Sequence, residues 1–285
     1  MGKFARSWAL MKASARVLRS DKSLMMFPLL SGLCSLIVAA SFLIPIAVTV
    51  GIVHHATANE TRGFSAIAYL GMFAFYLVQY FIIIFFNTAL AGTVLARLRG
   101  EPATLSTGFA VARSRWGSIL GYAMIAATVG LFLRAMQERL GFLGRVVAGL
   151  FGLAWTVASF LVVPVLASQQ VGPVDAVSRS VELLKRTWGE NLIGQGGIGV
   201  VFGVITVVTT FAFGLIVVAA IMSQSVPVIV VAIALAVIAL ITLALVQSAL
   251  QGIYAVALYR YAEAGEVGGG FEPKLLEQAF RVKAG

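Results

Sequence analysis

The sequence predicts an all-α protein, a polytopic transmembrane bundle of six helices with three cytoplasmic amphipathic helices. Two observations lead to this fold class. Of the 285 residues, 60% are hydrophobic and only 11% are charged, whereas about 25% of the residues in a soluble domain are charged. The charged residues also leave long uncharged gaps, and about 20 apolar residues cross the hydrocarbon core of a bilayer. A soluble globular domain is therefore excluded.

Uncharged gaps mark the membrane spans, because a charge at the centre of a bilayer costs about 3 kcal/mol on insertion scales. The first four gaps supply one helix each, at roughly 24–53, 63–96, 116–133 and 146–174. Pro45 predicts a kink in the first helix. The third gap has 18 residues and is the shortest of the four.

The fifth gap requires two crossings. Residues 191–259 include no Asp, Glu, Lys or Arg over 69 positions, which is about 100 Å of helix at 1.5 Å per residue. The reversal should fall at Ser223–Pro227, where polar residues and a proline interrupt an aliphatic run. We therefore predict one transmembrane domain over 1–260. The remainder, 261–285, is predicted to be a cytoplasmic tail with a short amphipathic helix.

The charge distribution predicts the orientation. The chain carries a net charge of +10, of which residues 1–23 hold +5 and residues 97–115 hold +3. Six crossings place these two segments on one side, which the positive-inside rule makes cytoplasmic. Both termini are then cytoplasmic. Residues 134–145 face outward in this topology, although their three arginines outweigh Glu138 there.

Three connecting segments carry apolar residues at i, i+4, i+7 and i+11, a spacing that covers one helical face. The three stripes are Phe4, Trp8, Met11 and Ala15, then Leu105, Phe109, Ala112 and Trp116, then Val177, Val181, Leu184 and Trp188. They suggest a repeated unit of one amphipathic helix and one transmembrane hairpin. The repeat units would be 1–99, 100–170 and 171–260. The alternative is that such short stripes arise by chance in any connector of a basic membrane protein.

Aromatic rings beside cationic side chains are typical of helices at a membrane interface. The predicted interfacial anchors are Trp8, Trp116, Trp188, Arg113, Arg115, Lys185 and Arg186. The third connecting helix differs from the others, because Asp175 and Glu182 each lie four residues before an arginine. Such pairs neutralise its outer face, which should therefore seek the lipid surface less strongly.

Chemical motifs are missing from the sequence. It has no H-E-x-x-H, Walker or C-x-x-C motif, and Cys34 is its one cysteine. His54 and His55 are adjacent but have no third ligand at a known spacing, so an interfacial polar cap explains them better than a metal site. We expect no catalytic residues, no cofactor and no metal. The lack of charge in the predicted spans also argues against an ion-coupled carrier.

Uncharged polar and small residues are the remaining candidates for a site. Four amides map to the cytoplasmic halves of helices: Asn87, Gln195, Gln247 and Gln251. They could line a polar vestibule or join helices by hydrogen bonds of about 1 kcal/mol each, and the second alternative is favoured. Two G-x-x-x-G pairs predict close helix packing, within or between subunits. These pairs are Gly117 with Gly121 and Gly199 with Gly203.

The segment 176–189 (AVSRSVELLKRTWG) and the ending 279–281 (AFR) carry a resemblance to a known family. The chain resembles an uncharacterised bacterial six-helix integral membrane protein family, similar to the membrane domain found with glycerophosphodiester phosphodiesterases. The resemblance implies a protein of the bacterial inner membrane and brings no catalytic residues with it. Because the chain has no room for a soluble phosphodiesterase domain, hydrolase activity is not expected.

These observations predict a non-enzymatic membrane protein. We expect an oligomeric assembly or scaffold component whose cytoplasmic helices bind the leaflet or a partner. Its partners would be membrane lipids and further copies of itself, with no nucleic acid. One alternative is a channel or carrier for a small uncharged or amphipathic solute, which would pass the amides. The other is a lipid-modifying enzyme, which no paired acid, base or nucleophile supports.

Overall fold

The computed structural model describes Lys12 and residues 14–56, 66–139, 141–186 and 191–264, and these ranges contain helices and turns but no strand. Residues 14–20 are helical, and a 3-10 turn follows at Lys22–Met25. The α-helices after this turn are α1 (Met26–Ala56), α2 (Ala66–Leu98), α3 (Leu105–Ser114), α4 (Trp116–Arg139), α5 (Gly141–Ala158), α6 (Val162–Ser168), α7 (Pro173–Arg186), α8 (Asn191–Met222) and α9 (Val226–Ala264).

Six stretches of the described residues are long and apolar enough to cross a membrane. They are Lys22–Pro45, Leu70–Leu98, Trp116–Glu138, Gly144–Ser168, Phe202–Met222 and Val226–Glu263. The predicted number of spans is confirmed, and the chain is a membrane protein on this evidence. The third span reaches 23 residues because α4 continues past Leu133 and includes Arg134 and Glu138. Helix α1 runs through Pro45 without ending.

The predicted reversal in the long uncharged segment is also confirmed. Helix α8 ends at Met222 and α9 begins at Val226, so the turn occupies three residues. Gln224 takes a left-handed backbone conformation, with φ of 53°. The Ser223 hydroxyl donates to the carbonyl oxygen of Ala220 at 2.6 Å, which satisfies one of the carbonyl groups at the end of α8.

The fourth span is interrupted, which the continuous apolar gap did not predict. Helix α5 ends at Ala158 and α6 begins at Val162. Pro164 explains the position of the interruption, because a proline has no N–H and its ring clashes with the carbonyl group four residues earlier. That residue is Phe160, at the centre of the turn. Here the Phe160 N–H donates to the carbonyl oxygen of Val157, only three residues back, at 3.2 Å.

The chain forms two compact units, which we describe separately. The middle unit comprises residues 27–183, and the terminal unit comprises residues 1–26 and 184–285. In the middle unit α2 packs against α3, α4 and α6, while α5 packs against α4. Its core is densest around the last three turns of α2, where Ala89, Leu90 and Val94 are fully buried.

The terminal unit is built around the helical hairpin of α8 and α9, which pack against each other. All seven residues from 253 to 259 are buried, whereas more than half of residues 226–248 are exposed. The 3-10 turn at Lys22–Met25 packs on α9 and buries Leu24 completely. The core of this unit therefore lies at the carboxyl end of α9. The predicted tail helix lies outside the described residues.

Candidate functional site

Helix α3 packs closely against α2, and a glycine on each helix allows this contact. Thr104 caps its amino end, since the Thr104 hydroxyl accepts from the N–H of Thr107 at 3.2 Å. A Cβ atom on Gly108 would lie 2.5 Å from the carbonyl oxygen of Ala89, so no side chain fits there. Gly92 on α2 is equally close to α3, because a Cβ atom would lie 2.9 Å from the Cβ of Val111. These two glycines allow the backbones of both helices to approach closely.

Aromatic side chains hold the apolar side of α3 against the protein. The Phe109 ring lies 5.4 Å from that of Phe27, 5.9 Å from Phe86 and 6.3 Å from Phe85, measured between centroids. Ala112, another member of the predicted stripe, is fully buried. This part of the stripe therefore packs within the middle unit and does not face the bilayer.

The α3–α4 corner, which we define as Arg113, Arg115 and Trp116, contains three of the predicted anchors. Helix α3 ends at Ser114, and Trp116 begins both α4 and the third span. Arg113 is exposed, and Trp116 is 61% exposed. Arg115 is half-buried, and its buried Nε atom has no hydrogen-bond acceptor among the described residues. No described carboxylate forms an ion pair with either arginine.

Two contacts hold the start of α4 in place beside this corner. The Ser118 hydroxyl donates to the carbonyl oxygen of Val171 at 2.8 Å. At Gly121 a Cβ atom would lie 2.8 Å from the Cγ of Pro173, the first residue of α7. Both contacts join α4 to the chain just before or at the start of α7, so the corner stands on a fixed support.

The buried face of helix α7 overlaps its predicted stripe only at Leu184, which is buried. Ala176, Ser180 and Leu183 are fully buried, whereas Val177 and Val181 are half-buried. On the outer side, Arg179 Nη1 lies 2.7 Å from Glu182 Oε2, so these two charges neutralise each other. This pairing is i,i+3; the predicted i,i+4 partner of Glu182 is Arg186, whose side chain lies outside the described set, so that pair stays a prediction.

The buried face of α7 closes the interruption in the fourth span. The N–H of Leu161 donates to the Ser180 hydroxyl at 3.1 Å, and both residues are fully buried. This bond satisfies an N–H group that the turn between α5 and α6 has removed from helical bonding. Irregular backbone inside a span requires such a partner, because hydrocarbon offers none. Pro164 was a local signal for the interruption, but no pattern in the sequence identified Ser180 as its partner.

Of the four other predicted anchors, the structure describes Lys185 and the backbone of Arg186. Lys185 is exposed at the end of α7. Arg186 is the last residue of that helix, and its side chain lies outside the described set. Trp8 and Trp188 lie outside the described residues altogether. Their interfacial role remains a prediction.

The four amides fall in both units. Asn87 is half-buried on α2 in the middle unit, and Gln247 and Gln251 are half-buried on α9 in the terminal unit. Gln195 lies on α8, and its side chain is outside the described set. The hydrogen bonds of the described residues include none from the side chains of Asn87, Gln247 and Gln251 to another residue. Their vestibule therefore remains a prediction.

A different amide joins two helices in the middle unit. Gln79 Nε2 donates to the carbonyl oxygen of Ser35 at 3.0 Å, which connects α2 to α1. Among the predicted packing glycines, Gly121 has the close contact with Pro173 described above. Gly117 and Gly203 have open space where a side chain would begin, and the surroundings of Gly199 are not described. Packing of the open glycines between subunits is untested.

The far end of α4 carries a polar cluster that the sequence analysis missed. Arg134 Nη1 donates to the Tyr76 hydroxyl at 3.1 Å, and Arg134 Nε donates to Glu138 Oε1 at 2.8 Å. The i,i+4 spacing of Arg134 and Glu138 was a signal for that pair. The predicted boundary of the third span at residue 133 is wrong, because Arg134 and Glu138 lie on α4. The charges of Arg134 and Glu138 neutralise each other.

The α8–α9 hairpin buries little of its surface within the chain. In each of its two spans, only 6% of the most apolar 18-residue stretch is buried. The corresponding share in the span of α2 is 56%. An open apolar cleft of about 590 Å³ lies between the two helices near their turn. Small side chains line part of this cleft, including Ala219, Ala220 and Ala232.

Among the described residues, no group of three or more His, Cys, Asp or Glu side chains could hold a metal ion. The side chains of His54 and His55 lie outside the described set. Cys34 is half-buried on α1. The described part of the chain thus offers the α3–α4 corner and the closed interruption of the fourth span as its most developed polar features.

Comparison with known proteins identifies the family. No curated protein and no solved structure matches the chain. A family model described as a family of unknown function, DUF6159, matches residues 66–270. This range begins at the first residue of α2, extends beyond α9 and includes five of the six spans. The match covers more than two thirds of the sequence, so the chain belongs to the DUF6159 family.

Proposed function

We propose that the protein is a non-enzymatic component of a membrane assembly, an oligomeric scaffold in the bacterial inner membrane. The observation that carries this proposal is the exposure of the α8–α9 hairpin, which buries only 6% of either apolar window within its own chain. Helix α8 also exposes Gly203, Thr210 and Gly214. These residues are spaced seven and four apart and therefore share one helical face.

Small exposed residues favour association between helices in a bilayer. Lipid tails are as apolar as leucine, so helix association there depends on close packing more than on the hydrophobic effect. Gly203 and Gly214 have no atom of another residue within 4 Å of an added Cβ. A second copy of the hairpin could therefore pack closely against this face.

The proposal includes the orientation and the likeness inferred from the sequence. The basic segments would place both termini and the connecting helices α3 and α7 on the cytoplasmic side. The cytoplasmic helices would bind the leaflet or a partner. The resemblance to the membrane domain found with glycerophosphodiester phosphodiesterases belongs to the same proposal, without any hydrolase activity.

Substitution of the open glycines tests self-association. We expect the purified full chain in lipid nanodiscs to be oligomeric, and Gly203→Leu with Gly214→Leu to weaken association at least tenfold. Gly149→Leu is the matched control, because Gly149 is also an exposed helical glycine with open space around it. Native mass spectrometry would count the subunits. A strictly monomeric parent protein, or equal loss of association in the control, would contradict the proposal.

A second candidate function is a channel or carrier for a small uncharged or amphipathic solute. The specific observation in its favour is the interrupted fourth span, since discontinuous helices form the binding sites of many transporters. Proteoliposomes can be mixed with glycerol or larger neutral polyols while light scattering follows their volume. A carrier should speed re-swelling relative to protein-free liposomes. If proteoliposomes and protein-free liposomes re-swell at the same rate with every polyol, transport of this solute class is excluded.

A further inference from the structure

The two arginines of the α3–α4 corner have no anionic partner among the described residues, in contrast to Arg134 and Arg179 of the same unit. Arg134 is paired with Glu138 at 2.8 Å and Arg179 with Glu182 at 2.7 Å. Neither Arg113 nor Arg115 forms an ion pair with a described carboxylate. The corner is therefore a local concentration of uncompensated positive charge, two residues apart along the chain.

The depth of the corner is set by the span that begins there. Trp116 is the first residue of the third apolar span, and the residue is 61% exposed. Tryptophan at the end of a span prefers the headgroup region, where its ring contacts acyl chains and its N–H meets polar groups. Arg113 lies three residues before this ring and Arg115 one residue before it, so their side chains can reach the phosphate level of the same leaflet.

The corner is also held in position before any ligand arrives. Gly108 and Phe109 fix α3 to α2, and Ser118 fixes the first turn of α4. A site on rigid elements loses less conformational entropy on binding than a site on a free segment. This distinguishes the corner from a basic stretch of chain that meets lipid only by chance.

We propose that the α3–α4 corner binds the phosphate group of an anionic phospholipid. Charge complementarity identifies the ligand, because guanidinium groups pair with phosphate oxygens in a planar, bidentate manner. Trp116 would contact the glycerol and upper acyl region of the same lipid. The inference rests on the proposed leaflet-binding role of the cytoplasmic helices and assigns that role to one corner and one lipid class.

Lipid titration of the purified full chain tests the proposal. Phosphatidylglycerol and phosphatidylcholine with identical acyl chains would be added, and native mass spectrometry would count the lipids retained. We expect Arg113→Gln with Arg115→Gln to weaken phosphatidylglycerol retention roughly tenfold or more, since each cation near an anionic surface contributes a separate attraction. Retention of phosphatidylcholine should not change. Equal phosphatidylglycerol retention in the parent and the double variant would overturn the proposal.

A control with the same change in charge separates this site from general electrostatics. Arg134→Gln with Arg145→Gln also removes two exposed arginines, at the other end of α4 and on α5. This control should retain phosphatidylglycerol like the parent chain, and a matching loss would overturn the proposal. The conservative variant with Arg113→Lys and Arg115→Lys should recover part of the affinity. Circular dichroism and thermal unfolding of each variant would exclude misfolding as the cause of any loss.

Inorganic phosphate provides the arm that distinguishes a lipid from a soluble anion. Millimolar phosphate should leave bound phosphatidylglycerol in place, because it lacks the apolar contacts with Trp116. If inorganic phosphate bound as tightly as phosphatidylglycerol and displaced it, the choice of a lipid would be overturned. Preferential retention of an acidic peptide over phosphatidylglycerol would overturn it as well. The same spectra report subunit number, so a monomeric parent chain would contradict the scaffold while leaving the lipid count to decide this site.

Discussion

Helices α3 and α7 carry the same type of apolar stripe and each precede a transmembrane hairpin, yet they are used differently. Helix α3 lies against α2 through Gly108 and ends at the α3–α4 corner, whose two arginines form no ion pair with a described carboxylate. Helix α7 presents a buried hydroxyl to the interrupted fourth span and pairs its outer Arg179 with Glu182. A stripe therefore indicates that a helix has one apolar side. It does not tell whether that side meets lipid or protein.

The largest effect that would break this comparison is expected at Gly108. Gly108→Leu places a side chain where even a Cβ atom would meet the carbonyl oxygen of Ala89 at 2.5 Å. Overpacking of this kind should lower the free energy of unfolding by roughly 3 kcal/mol. Thermal unfolding in detergent would measure it. Gly117→Leu, at an open position on α4, is the control, and equal stability of the two variants would disprove the close packing of α3.

The next effect should come from Ser180. Ser180→Ala removes the acceptor of the Leu161 N–H and leaves that buried group unsatisfied, which should cost about 2 kcal/mol. Hydrogen exchange at the Leu161 amide should become faster by at least tenfold, because the closed interruption then opens more often. Ser178→Ala changes an exposed serine on the same helix and should have neither effect. Unchanged exchange at Leu161 would remove α7 from this role.

A smaller effect is expected at Trp116. Trp116→Ala should weaken the placement of the corner at the interface while α3 remains fixed by Gly108 and the Phe109 cluster. We expect a stability change of about 1 kcal/mol or less, because the residue is 61% exposed. A nitroxide label on Ser114→Cys would report the depth of the corner in the membrane. Cys34→Ser would remove the natural cysteine, so that only position 114 is labelled. A large loss of stability would show that the ring packs within the protein.

The smallest effect is expected at the outer face of α7. Arg179 and Glu182 are 2.7 Å apart but partly exposed, with side-chain exposures of 32% and 46%. Glu182→Gln should therefore change the free energy of unfolding by about 0.5 kcal/mol or less. Added salt should remove the difference, since exposed charges are screened. A larger loss of stability that salt does not remove would show that this ion pair stabilises α7. Among the described residues, α3 has no such ion pair.

The limits of the sequence interpretation follow from the distance between partners. The turn at Ser223–Pro227 and the six spans depend on local composition, and both were predicted correctly. The interruption near Leu161 depends on a hydroxyl 19 residues away. Gly108 likewise depends on a carbonyl group at Ala89, on another helix. Such contacts between distant residues leave no periodic pattern, so hydropathy and spacing could not reveal them.

The site residues divide in the same way. Trp116 and its arginines could be predicted as interfacial anchors because such an anchor is a local combination of residues, and their place at the interface stays a prediction. Whether those arginines are neutralised depends on where every carboxylate of the fold comes to lie. The cluster of Tyr76 with Arg134 shows the opposite outcome at the other end of α4. Only the folded arrangement separates a cation with a partner from one without.

The bond between Leu161 and Ser180 also has a consequence for biosynthesis. As the chain leaves the ribosome, the fourth span reaches the membrane before Ser180 has emerged from the exit tunnel. Until then the Leu161 N–H has no acceptor from α7, and hydrocarbon supplies none. The final form of this span therefore depends on residues translated after it, and a chain truncated before Ser180 could insert the segment without completing it.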